Sequence, residues 1–394
     1  MIPQSQFKDL LPYLSKSIAL NQRFYSLDVF RGATVCLMIL VNNPGSWSHI
    51  YAPLKHAPWH GLTPTDLVFP FFLFAVGNAL SFVMPKLEAA GPVTFWKKVL
   101  KRTALIFLIG LFLNWWPFVK ADDYSFKLFE NVRIMGVLQR IALAYFFAAV
   151  IAYYFKGVKS FYVAMLLLLG YWALCLVGNP VDAYSLEGWF GTAIDKAILG
   201  VTHLYKGEGT PFDPEGLMST MPAIAQVLLG YLVGNHIKEK GSTKESVPVM
   251  LNGLFIAAIA LLITGFCWDM VMPINKKIWT SSYVVYTTGL AMLTLATMIY
   301  FIEIKGVKSK ISSFFDVFGK NALFVFALSA FLPKGLALLK IEKGVTPWNW
   351  LYKKVLIHIP GLPENGSLLY AICVITFMWF ICWVLDRKRI YIKV

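Results

Sequence analysis

Three of the six histidines, His49, His56 and His60, fall in one loop. It runs from Asn42-Asn43-Pro44-Gly45 to His56-Ala57-Pro58-Trp59-His60-Gly61-Leu62-Thr63-Pro64-Thr65-Asp66, then enters an aromatic stretch, Phe69-Pro70-Phe71-Phe72. A neutral imidazole near pH 7 is the usual side chain for taking a proton from an attacking nucleophile. His56 and His60 are four residues apart and would share a face of a helix, the spacing of a metal pair. Pro58 between them, and the lack of a third ligand at ordinary spacing, argue against a metal. The plain alternative is a set of loop histidines at a membrane interface.

A second group opens Asn131-Val132-Arg133-Ile134-Met135-Gly136-Val137-Leu138-Gln139-Arg140. Arg140, with Gln139 beside it, begins an apolar run. Ionisable groups there face a wet cavity or a partner. A guanidinium fork suits phosphate or pyrophosphate; an internal salt bridge to a carboxylate such as Asp66 is the other reading. Lys320, in Gly319-Lys320-Asn321, either contacts an anionic ligand or snorkels to the interface. In Pro211-Phe212-Asp213-Pro214-Glu215-Gly216, Asp213 and Glu215 either bind substrate hydroxyls or an amine, or serve a turn and a helix cap.

The elements that must position these residues are membrane spans. The chain has 394 residues, 58% of them apolar and only 14% charged, with a formal net charge of +15. A soluble domain carries roughly 25% charge. Runs of about 20 apolar residues occur near 27–43, 67–85, 99–117, 136–155, 160–178, 219–236, 247–268, 282–302, 314–332 and 367–386. The expected fold is therefore all-α, a polytopic membrane protein of about ten transmembrane helices. The sixth run is the weakest, since it carries Pro222 and Gln226. The first is read as a retained helix rather than a cleaved signal. Residues 1–25 form an N-terminal segment and 26–394 the transmembrane domain. Lys156 and Lys159, Lys238, Lys240 and Lys244, and Lys305, Lys308 and Lys310 mark alternate loops as cytoplasmic, so both termini are expected inside. The same bias accounts for the basic charge without nucleic acid. The five cysteines form no CxxC pair and support neither a disulfide framework nor a zinc site.

Ser26-Leu27-Asp28-Val29-Phe30-Arg31-Gly32 heads the first span and leads to Val41-Asn42. Lys55-His56-Ala57-Pro58-Trp59-His60-Gly61-Leu62-Thr63, Asp66-Leu67-Val68-Phe69-Pro70 and the Arg133–Arg140 block follow. Asp213-Pro214-Glu215-Gly216, Pro273-Ile274-Asn275-Lys276-Lys277-Ile278-Trp279-Thr280-Ser281-Ser282-Tyr283 and Arg387-Lys388-Arg389-Ile390-Tyr391 complete the set. In this order they resemble the transmembrane acyltransferases of the heparan-α-glucosaminide N-acetyltransferase family, in a bacterial form. The likeness covers nearly the whole chain from about residue 24.

The resemblance implies an acyltransferase of a bacterial inner membrane, homodimeric and surrounded by lipid. It would move acetyl from cytosolic acetyl-CoA to the amine of a glucosamine-type sugar on the periplasmic side. His56 matches the family's active-site histidine and Asn42 its nearby asparagine. His60 stands where lysosomal relatives carry Asn and is given no catalytic role, and Leu328-Ser329 stands where they carry His-Glu, which points to a small amino sugar or a cell-surface glycan as acceptor. The chain starts without the luminal domain and first helix of the lysosomal enzyme, in keeping with ten spans. On this basis His56 acts as base and Asn42 donates to the thioester oxygen. Lys98 and Arg102 hold the donor's phosphates, while Arg133, Gln139, Arg140, Lys320 and Asn321 line its path. Trp59, Asp66, Asp213 and Glu215 meet the sugar, and no metal takes part. Direct transfer and an acetyl-histidine intermediate both stay open. The alternatives are O-acetylation of a surface polysaccharide and a sugar transporter, although no inverted repeat is visible.

Overall fold

The computed structural model describes residues 24–241 and 246–392, and among these every regular element is helical. In chain order the helices are α1 (Tyr25–Asn42), α2 (Val68–Ala89), α3 (Gly91–Trp115), α4 (Val137–Tyr154), α5 (Val158–Gly178), α6 (Gly191–Leu199), α7 (Leu217–Lys240), α8 (Val247–Asp269), α9 (Ser281–Ile299), α10 (Lys310–Lys320), α11 (Ala322–Leu336), α12 (Trp350–Lys354) and α13 (Pro363–Arg387). The N-terminal segment expected at 1–25, apart from its last two residues, and Lys244 lie outside the described residues.

All ten expected segments are helical. Eight helices are long and apolar enough to cross a membrane. α10 and α11 are apolar enough together for a ninth span but meet at a 78° bend at Asn321, the geometry of a broken span or a re-entrant loop. α3 is the tenth segment: its 25 residues reach about 37 Å at 1.5 Å per residue. Lys97, Lys98, Lys101 and Arg102 crowd its first half, the place where long basic side chains snorkel to an interface.

The span that reads weakest in sequence is the most enclosed. In α7, 78% of the apolar window is buried, against 22% in α5 and 28% in α8. Gln226 is tolerated because its amide donates to Thr287 (3.3 Å) and Thr288 (3.0 Å) on α9. Lipid offers no driving force for helix association, so close packing and such hydrogen bonds supply it. α2 and α7 meet backbone to backbone. A Cβ on Gly77 would lie 2.0 Å from the Val227 carbonyl, and one on Gly230 would lie 2.3 Å from that of Phe74. α5 and α8 turn large apolar side chains outward, among them Leu166, Leu169, Ile256 and Ile263, as lipid-facing helices do.

Antiparallel succession of the spans gathers the loops 43–63, 116–136, 179–216 and 270–280 at one end of the bundle. The basic clusters around Lys97, Lys156, Lys238, Lys308 and Arg387 lie at the other end.

Candidate active site

His56 sits in the loop between α1 and α2, and that loop is pinned at several points. The Gly61 amide donates to the Ile274 carbonyl at 2.8 Å, the Trp59 indole to the Tyr184 carbonyl at 2.8 Å and the Thr63 hydroxyl to the Lys55 carbonyl at 2.7 Å. Pro64–Leu67 form a single 3-10 turn that enters α2, with Thr63 and Asp66 closing a capping box.

This turn brings Asp66 under the imidazole. Asp66 Oδ1 lies 2.6 Å from His56 Nδ1. Its Oδ2 accepts from the amides of Ala57 (3.0 Å) and Thr63 (3.1 Å) and from the Thr63 hydroxyl (3.0 Å). A carboxylate only accepts, so Nδ1 carries the ring proton and the lone pair is on Nε2. The Asp66 side chain is 1% exposed and that of His56 is 47% exposed. The arrangement is a basic nitrogen at an opening, oriented from behind by a buried charge. Asp66, expected to meet substrate, has both oxygens engaged inside the protein.

A lysine that sequence reasoning assigned no role completes the group. Lys276, from the loop between α8 and α9, places Nζ 3.0 Å from His56 Nδ1, 3.3 Å from Nε2 and 3.5 Å from Asp66 Oδ1. Its side chain is 21% exposed. Burial pushes Lys276 below the usual lysine range, against the pull of Asp66 and Glu215. One signal pointed to it: Asn275-Lys276-Lys277 puts two lysines in a loop on the side where basic residues are scarce. Lys277 pairs with Glu208 and lies over the Trp59 ring. The Asn275 amide stands 3.3 Å from His60 Nδ1, and burial lowers the pKa of His60 against the opposing charge of Asp269.

Behind Lys276 stands a second charged layer. Arg133 donates through Nε (2.9 Å) and Nη2 (2.6 Å) to the two oxygens of Asp213, and also to Glu215. Burial works against the guanidinium, but Glu215 and Asp213 hold its pKa above the ordinary arginine value. Burial likewise opposes the Glu215 charge, but Arg133 and Arg140 keep its pKa below the usual carboxylate range. Arg140 is fully buried. It donates to the Pro214 carbonyl at 2.7 Å and to the Ser219 hydroxyl, and lies over the Trp279 ring at 4.9 Å. The two arginines therefore clamp the 213–216 turn. Arg140 Nε and Nη1 and Gln139 Nε2 have no partner among the described residues. Asp195 of α6 caps α7 from outside, accepting from the Leu217 amide at 2.8 Å. Burial pushes Asp195 up to about 6.

The structure thus brings together His56, Asp66, Asp213, Glu215, Arg133 and Arg140, with Trp59 beside them against Phe212 (5.6 Å between ring centres). Other candidates lie apart. Asn42 ends α1 with an exposed side chain and no hydrogen bond among the described residues, whereas its neighbour Asn43 is buried and donates to the Ile39 carbonyl. Lys320 closes α10 between Asp316 (2.7 Å) and Asp386 (3.1 Å). Asn321 holds the C-terminal strand of backbone, donating to the Ile390 carbonyl and accepting from the Ile392 amide. Lys98 is exposed on α3. Arg102 lies over the Tyr145 ring at 4.7 Å, and its Nε and the Thr103 hydroxyl lack partners among the described residues.

The sequence has counterparts among known proteins. A family model described as heparan-alpha-glucosaminide N-acetyltransferase, catalytic, matches residues 23–262. The heparan-alpha-glucosaminide N-acetyltransferases of Homo sapiens and Mus musculus are each 26% identical to this chain, over 444 and 443 residues respectively. Each alignment covers 98% of this chain but 62% of the relative, so the chain spans less than two thirds of their length.

Proposed function

Since the chain belongs to the heparan-alpha-glucosaminide N-acetyltransferase family, we propose that it acetylates the amine of a glucosamine-type sugar, with acetyl-CoA as donor. The observation that carries this is the His56–Asp66 contact at 2.6 Å, which leaves Nε2 as a base at the mouth of a charged pocket. The acceptor amine gives a proton to Nε2 as its nitrogen attacks the thioester carbonyl. The new N–C bond forms, the C–S bond breaks, and the departing thiolate takes the proton back from His56. Asp66 compensates the transient imidazolium and keeps the ring in its tautomer.

The donor's phosphates are assigned to the far end of the bundle, on Arg102 with Lys98. The unpartnered Arg102 Nε and Thr103 hydroxyl favour this, since buried donors without partners are costly. The lysine-rich loops at that end support placing it in the cytoplasm, with the His56 loop outside and the bundle in a bacterial inner membrane. Trp59, backed by the buried Phe212 ring, would stack on the sugar ring.

The test is His56→Ala in purified, reconstituted protein, read as CoA released from acetyl-CoA in the presence of glucosamine. Turnover is expected to fall by about 10² or more. A rate close to wild type removes His56 from the mechanism.

A further inference from the structure

We propose that Lys276 is a catalytic residue of this site, its ammonium donating to the thioester oxygen as negative charge gathers there. The inference rests on the acetyl-transfer reading above. Three observations lead to it. The ammonium lies 3.3 Å from His56 Nε2, the atom that must face the attacking amine. A carbonyl carbon under attack by that amine therefore lies within reach of Nζ. The lysine side chain keeps 21% of its surface open at the same mouth, so it is not sealed into a structural ion pair.

The third observation is that, among the described residues, no other side-chain donor reaches the His56 ring. Asn42, the residue expected to polarise the carbonyl, has its side chain exposed at the end of α1 and joins no hydrogen bond to the His56 group. Arg133 commits Nε and Nη2 to Asp213 and Glu215, and Arg140 is fully buried with Nη2 turned to the Pro214 carbonyl and Ser219 behind them. Among the described residues, Lys276 is the cation within hydrogen-bonding distance of Nε2, and its side chain is partly open. Its contact with Asp66 Oδ1 at 3.5 Å is long for a charged hydrogen bond, so one of its three donors can turn to a substrate oxygen at small cost.

The charges facing Lys276 come from each element packed on it. They are His56 from the first loop, Asp66 from the turn before α2, Glu215 from the turn before α7 and Lys277 from its own loop. Burial favours the neutral amine. The ammonium is the active form, so activity is expected to fall as pH rises through the Lys276 titration, below the range of an exposed lysine.

The experiment compares Lys276→Gln, Lys276→Arg and His56→Ala in reconstituted protein, following CoA release from acetyl-CoA with glucosamine across pH. Lys276→Gln is expected to lower kcat by about 10² to 10³ with KM for acetyl-CoA nearly unchanged, the pattern of a lost oxyanion donor. Lys276→Arg keeps a charged donor and is expected to retain more of kcat and to lose the alkaline decline, which a merely structural lysine would not control. Lys276→Gln at the wild-type rate, or an alkaline limb unchanged in Lys276→Arg, overturns the proposal. If Lys276→Gln does not fold, the pH profile of Lys276→Arg decides alone. An active His56→Ala would instead remove His56 from the mechanism, and wild-type protein that releases no CoA would sink the acetyl-transfer reading itself.

Discussion

Replacing Asp66 by asparagine tests the orientation of the base, because the surroundings allow the new amide only one pose. Asp66 Oδ2 accepts from two backbone amides and a hydroxyl, at 3.0 to 3.1 Å. An amide NH2 turned to that side would face donors, and each donor left unpaired costs about 1–3 kcal/mol. The carbonyl oxygen of the introduced amide must therefore take the Oδ2 position. Its NH2 then points at His56 Nδ1, 2.6 Å from the present Oδ1. Nδ1 becomes the acceptor and the ring proton moves to Nε2, where the base was. A buried aspartate exchanged in this way behind a catalytic histidine can cost about 10⁴ in kcat. His56 is 47% exposed, so water can return the ring to its other tautomer. The expected loss is therefore about 10² to 10³, equivalent to roughly 3–4 kcal/mol of barrier. Asp66→Ala provides the contrast. It strands the Ala57 and Thr63 amides and lowers stability, but leaves Nδ1 free to carry the proton. Per folded molecule, Asp66→Ala should be faster than Asp66→Asn. CoA release normalised to the monodisperse fraction on size exclusion measures both. Asp66→Asn within threefold of wild type, or slower turnover in Asp66→Ala than in Asp66→Asn, would refute the reasoning.

Two further expectations concern the layer behind the base. Arg133→Ala removes the cation hydrogen-bonded to Asp213 and Glu215 and leaves them only the more distant charges of Arg140 and Lys276, which should cost about 3–5 kcal/mol. Arg133→Lys should recover only part of it, since one ammonium cannot span both oxygens of Asp213; thermal unfolding in detergent reads both. Asp195 titrates at about 6 in the folded protein against a usual 3.8. A carboxyl with a raised folded pKa binds its proton more tightly folded than unfolded, so stability falls as pH rises from about 4 to 6. Asp195→Asn keeps an acceptor for the Leu217 amide and should flatten that decline, with a higher unfolding midpoint than wild type at pH 7. A midpoint at or below wild type across that range would show that the buried charge is compensated.

Much of the architecture was legible from composition and apolar runs. Spans announce themselves because every backbone polar group in lipid must be satisfied within a helix. The departures have local causes. The run holding Pro222 and Gln226 looked marginal because hydropathy counts an amide as a loss, yet Thr287 and Thr288 of α9 accept from its NH2. The run at 314–332 looked continuous, yet it breaks at Asn321, whose side chain is committed to the backbone at Ile390 and Ile392. No hydropathy window registers that bend, because the partner lies some 70 residues away.

The site divides along the same line. Sequence alone marked the His56 loop, Arg133, Arg140 and the Asp213–Gly216 turn, because charged and titratable groups beside apolar runs are rare and costly enough to stand out one by one. Tertiary structure alone decided their partners. It set Asp66 behind His56, turned Arg133 and Arg140 onto the 213–216 turn, separated Lys320 and Asn321 from the group, and brought in Lys276 from 220 positions away. The physical reason is that residue type and spacing determine what a side chain can do, whereas the charge it faces depends on which helix ends meet across the bundle.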